Sequence, residues 1–111
     1  MPTSLELYLV RHAVAAGRGA AYPDDDLRPL TTEGVERWQR SVAGLRELGV
    51  VLDVVIASPL LRAAETADIL AAGLRPRPRV VTADALSPGG QIAEVIAVVA
   101  AQAGSARGVS R

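Results

Sequence analysis

"DVVIASPLLRAAETADIL", residues 53–70, passes from a short β-branched stretch through Ser58 and Pro59 into an alanine-rich segment. Residues 53–58 read as a strand, since Val and Ile suit a pleated, buried surface. Pro59 suits the first position of a helix and Ser58 the cap before it. That helix runs to about Ala72, with Gly73 placed to stop it. Further on, "LRPRPRVV", residues 74–81, reads as an extended connector into a strand near Arg79–Thr82, with Arg75, Arg77 and Arg79 pointing into solvent. Two strands joined through a helix pair in parallel, which is the signature of an α/β domain.

Working outward, "LELYLV", residues 5–10, is a nearly continuous apolar run and reads as a strand buried on both faces. Residues 13–30 read as a loop, because Gly17, Gly19, Pro23, Asp24–Asp26 and Pro29 all oppose regular structure. A helix follows from Thr32 to about Leu48, capped by Thr31 or Thr32. Glu33 and Glu36 complement its positive end, and Gly49 closes it. Val35, Trp38, Val42, Leu45 and Leu48 recur on one face, so Trp38 is expected to pack in the core. "SPGG", residues 87–90, is a turn, and a last helix spans about Gln91–Gln102 with Ile92, Val95, Ile96 and Val99 on one side. Residues 104–111 read as a polar, frayed tail. The expected architecture is a single three-layer α/β/α domain around a mainly parallel sheet.

The 111 residues suffice for one domain with a real core. Half of them are apolar, but Phe is absent and there are one Trp and two Tyr, so Ala, Val and Leu must fill the interior. Twelve basic and twelve acidic residues give no net charge, hence no electrostatic footprint for nucleic acid or an anionic membrane. Every basic residue is Arg, so a single arginine carries little information. The absence of Cys rules out disulfides, a thiol nucleophile and cysteine-based metal sites. No run approaches a membrane span, the start lacks the pattern of a signal peptide, and a cytoplasmic protein is expected.

In a parallel sheet, ligands bind beyond the carboxyl ends of the strands. Arg11 and His12, the chain's only histidine, lie just past the first strand, and Ser58–Arg62 just past the second, so the two segments can meet on one rim. Phosphoryl transfer needs fixed cations around the phosphate oxygens and a nucleophile in line. Arginine binds phosphate bidentately, a helix N-terminus offers free N–H groups, and histidine can carry the phosphoryl group. Each part alone is ordinary: a lone histidine at a strand end is commonly structural, and Arg62 with Glu65 one turn on is a normal surface pair. Their convergence points to a phosphate site.

The residues also resemble a known family. "LYLVRHAVA" resembles the Arg-His-Gly/Ala signature of the histidine phosphatase superfamily. "DDDLRPLTTEG", residues 24–34, resembles the Asp-x-x-Arg-Pro-Leu-Thr-x-x-Gly segment of its SixA-type phosphohistidine phosphatases. "VIASPLLRAAETADIL" matches their Ser-Pro-x-x-Arg-Ala-x-x-Thr-Ala block, and "ALSPGG" their Leu-x-Pro-Gly-Gly. The resemblance implies a phosphoglycerate mutase-like fold and catalysis without metal or cofactor. It makes His12 the phosphoryl acceptor, with Arg11 and Arg62 clamping the phosphate. It leaves Arg28 divided between the pocket and a structural role. Asp24, Asp25, Asp26 and Glu33 are candidate proton donors, none singled out. Glu65 replaces a common Gln at what is expected to be an inconsequential surface position.

One departure bears on activity. The family carries a second catalytic histidine on a later strand that flanks strand one, and this chain contains neither. The expectation is a domain incomplete at its C-terminal end: a truncated form, with a homodimer in which the edge of strand one finds a partner, or a split protein completed by another chain, as the alternatives. The implied substrate is a phosphohistidine protein or a small phosphorylated molecule. A phosphate-binding module without turnover, and a small-molecule phosphatase of the same superfamily, are the alternatives.

Overall fold

Thr31 starts the first helix: its Oγ1 accepts the Gly34 N–H at 2.9 Å. A computed structural model describes residues 7–17 and 21–106, and in it this helix, α1, spans Thr32–Glu47. Gly49, at φ +81°, turns the chain out of α1 in the left-handed region that favours glycine. The amphipathic stripe does its expected work, with Val42, Leu70 and Leu74 forming the centre of the core and Trp38, Leu45, Leu52, Val55 and Ile69 packed around them. Leu48 departs from that stripe. It falls at the helix end and is 81% exposed.

Strand β1, Val54–Ala57, leads into α2, Leu61–Gly73, and returns as β2, Arg79–Thr82. The strands pair in parallel, Val54 opposite Arg79 through Ala57 opposite Thr82. Arg79 N–H to Asp53 C=O (3.2 Å) and Ala83 N–H to Ala57 C=O (2.8 Å) extend the ladder at both ends. The helix begins later than its sequence suggests. Ser58 is not the cap; its Oγ accepts the Leu60 N–H at 3.3 Å and closes a turn ahead of the helix. Leu60 takes the cap position because its side chain is buried, and core burial outweighs the preference for a polar cap. Gly73 is the last residue of α2, and the fully buried Leu74 follows it. Arg75, Arg77 and Arg79 are exposed, as expected.

After the "SPGG" turn, where Gly89 sits at φ +89°, α3 spans Ile92–Ala106. It packs on β1 and on the short 3-10 turn Asp84–Leu86. Only half of the predicted apolar side packs. Ile92 and Ile96 are 78% and 62% exposed, whereas Val95, Val98 and Val99 are half-buried. The helix also takes in the first residues of the predicted tail, and residues 107–111 lie outside the described part.

The main correction concerns strand one. Residues 5 and 6 lie outside the described part, and residues 7–10 form no strand, so the sheet has two strands among the described residues. Residues 7–10 are exposed rather than buried on both faces, Leu9 to 89%. It stands off from the core across a groove of about 430 Å³ lined on the far side by Trp38, Leu45, Val50, Leu52 and Leu70. An apolar run of this kind becomes a buried strand only where both of its faces are covered. The expectation of an α/β fold around a parallel sheet flanked by helices holds. Among the described residues no helix is long and apolar enough to cross a membrane.

Candidate active site

The segment after His12 is fastened on both sides. Ala13 N–H donates to Thr66 Oγ1 at 3.0 Å, and Thr66 Oγ1 in turn donates to the Arg62 C=O at 2.7 Å. Val14 C=O accepts the Thr31 N–H at 2.9 Å, and Ala16 N–H donates to Pro29 C=O at 2.8 Å around an antiparallel bridge between Ala15 and Leu30. Gly34 lies directly under this loop, where a Cβ would overlap the Val14 carbonyl oxygen. Trp38 adds a polar contact to its packing role, its indole N–H donating to Thr66 C=O at 2.9 Å.

Residues 13–30 are not wholly irregular. Asp25–Leu27 form a 3-10 turn capped by Asp24, whose carboxylate accepts the Asp26 N–H at 3.0 Å. The turn places Asp25 between two arginines. Its Oδ1 accepts Arg28 Nε at 2.7 Å, its Oδ2 accepts Arg62 Nη2 at 3.2 Å, and its backbone C=O accepts Arg62 Nη1 at 2.8 Å. Arg28 is 9% exposed and Arg62 6% exposed, so Arg62 is not an ordinary surface arginine paired with Glu65. Arg28 also donates through Nη1 to Ala16 C=O at 2.7 Å. Arg62 Nε is buried and has no hydrogen-bond partner. An unmet buried donor costs about 1–3 kcal/mol, more when charged, so this N–H has capacity for one further acceptor.

Arg11 and His12 are exposed at the carboxyl end of β1. With residues 55–58, Ala63, Thr66 and Leu70 they line a mostly apolar groove of about 340 Å³ that follows β1 to the rim where the parallel sheet was expected to bind its ligand. His12 Nδ1 lies 2.7 Å from the Ala13 carbonyl oxygen. A carbonyl only accepts, so Nδ1 carries a proton, and in the neutral tautomer that fits this contact the lone pair lies on Nε2. Arg28 and Arg62 are not part of that groove's lining. They form a second cluster around Asp25, joined to the His12 segment through Thr66 and Ala16. Of the four candidate acids, Asp25 is the one brought to the arginines, whereas Glu33 pairs with Arg37 at 3.8 Å on the exposed face of α1.

Glu65 corrects its expected role. Its Oε1 accepts the Leu30 N–H at 2.9 Å and ties the loop to α2. Glu65→Gln keeps an acceptor oxygen there and is expected to be nearly neutral, while Glu65→Ala loses about 1 kcal/mol in a denaturant titration. Equal losses for the two variants would contradict this account. Sequence reasoning also passed over Thr66 and Gly34 as working residues. The available signal was their place in the Ser-Pro-x-x-Arg-Ala-x-x-Thr-Ala and Arg-Pro-Leu-Thr-x-x-Gly blocks.

The fold is of the α/β class, a parallel β1–α2–β2 unit with a histidine and an arginine near its carboxyl rim. Comparison with known proteins narrows it. The profile of the histidine phosphatase superfamily (branch 1) matches residues 7–87, and the chain belongs to that superfamily. An uncharacterised protein of Picosynechococcus sp. (strain PCC 7002) is 44% identical over 94 residues, covering 84% of this chain and 55% of its own length. The structure of the protein histidine phosphatase SixA complexed with tungstate superposes with a TM-score of 0.70 at 30% identity, covering 82% of this chain and 56% of that one. A protein from Nakamurella multipartitia, assigned as a phosphohistidine phosphatase SixA, gives a TM-score of 0.66 at 33% identity, covering 84% and 49%. The chain thus spans about half the length of the relatives it matches.

Proposed function

We propose that this chain is a phosphohistidine phosphatase domain acting through a phosphoenzyme on His12. One observation carries the reading. The imidazole, its Nε2 lone pair freed by the Nδ1 contact to Ala13, stands at the strand rim one hydrogen-bonded step from the helix that holds the buried, incompletely partnered Arg62.

In the first step the Nε2 lone pair attacks phosphorus in line. The P–N bond to the substrate imidazole breaks, and that imidazole leaves with a proton gained from the surroundings. Arg11 and Arg62 hold the phosphoryl oxygens, whose charge they neutralise. In the second step water attacks phosphorus, the P–Nε2 bond breaks, and phosphate leaves with the neutral His12 restored. Arg28 acts at one remove, by tying Asp25 to the loop at Ala16. The open position of His12 favours a phosphohistidine on another protein's surface, since sites for small molecules usually enclose most of their ligand.

The test is phosphate release from a phosphohistidine peptide by the purified chain, with mass spectrometry for a phosphoryl adduct on His12. Arg62→Ala is expected to lower the rate by about 10²-fold or more. A second reading, a phosphohistidine-binding module, draws on the absence of a second histidine from these 111 residues. It requires saturable binding of the peptide with no adduct and no phosphate release.

A further inference from the structure

Of the three consecutive aspartates, Asp25 is the one at the Asp-x-x-Arg-Pro spacing, and the fold sets it against two arginines. Its contacts complete a ring. From the His12 segment, Ala13 N–H reaches Thr66 Oγ1, which bonds the backbone of Arg62. From the side chain of Arg62, both Nη atoms reach Asp25, Asp25 reaches Arg28, and Arg28 returns to Ala16 on the same loop. The guanidinium is planar and rigid, so fixing Nη1 and Nη2 fixes the direction of the Nε–H. That N–H is the buried donor left without an acceptor.

We propose that Asp25 is a positioning residue: it holds Arg62 by its two Nη atoms and keeps the Nε–H for an oxygen of the bound oxyanion. This deepens the phosphatase reading and rests on it. The alternative is that the carboxylate competes with the oxyanion for Arg62. Sharing of its two oxygens between Arg28 and Arg62 argues against that, because the contact ties Arg62 to the loop that carries His12.

The experiment is a titration of the intact chain with tungstate, read by calorimetry and by the arginine Nε–H resonances in NMR, which an 11.5 kDa chain permits. Tungstate is expected to shift the Arg62 Nε–H resonance more than those of the exposed arginines. Asp25→Asn is expected to weaken binding about 10-fold. In an Arg62→Ala background it should add little, because the two changes remove one interaction. Asp25→Glu, which keeps the charge, is expected to recover part of the loss and serves as the readout if the Asn variant does not fold. Tighter or unchanged tungstate binding in a folded Asp25→Asn chain overturns the proposal, as does an Arg62 Nε–H that stays still while tungstate binds. A wild-type chain that binds no tungstate removes the oxyanion site itself, and the phosphatase reading falls together with this one.

Discussion

His12→Ala is expected to abolish the phosphoryl adduct and to lower phosphate release from a phosphohistidine peptide by at least about 10³-fold, the scale on which losing a nucleophile is felt. The side chain is exposed and its one hydrogen bond is to its neighbour's carbonyl, so the substitution should leave stability within about 0.5 kcal/mol. That separation makes the test sharp, because a fall in rate cannot be blamed on unfolding. Parallel measurements of thermal melting, phosphate release and adduct mass check it. Turnover that persists in the variant, or an adduct on another residue, would remove His12 from the mechanism.

Gly34→Ala should produce a large loss of stability. A Cβ at this position meets the Val14 carbonyl oxygen, which is backbone and already bonded to the Thr31 N–H. The neighbouring Thr31 Oγ1 is committed to the Gly34 N–H, so the turn has little freedom to open. Overpacking of this kind costs about 1–3 kcal/mol, which lowers the melting temperature of a domain this size by about 10 °C. The loop that gives way is the one following His12, so phosphate release should fall further than the folded fraction does. A variant that melts with the wild type would show that the loop is not seated on α1.

The fold was most legible where the chain is punctuated. Pro, Gly and Thr bracket the helices, and the apolar stripes of α1 and α2 are local patterns, so those elements were read within a few residues. Legibility failed where burial depends on what lies opposite. The run at residues 5–10 and the Ile92–Ile96 side of α3 have the composition of buried surface, yet residues 7–10 and those isoleucines are exposed. An apolar pattern states what a segment would bury, and its neighbour in space decides whether it does.

The site divides in the same way. The shared rim of strand ends and helix starts in a parallel sheet put Arg11, His12 and Arg62 forward, and the family resemblance added Arg28. By itself the sequence determined the α/β class, the β1–α2–β2 unit and these candidate side chains. Tertiary structure alone set Asp25 against both Arg28 and Arg62, gave Glu65 the Leu30 N–H to hold, and made Thr66 the link between His12's loop and Arg62. The reason is physical: propensity and periodicity act over a few residues, whereas the bonds to Glu65, Arg62 and Thr66 join positions that are 35, 37 and 53 residues apart and form only when loop and helix meet.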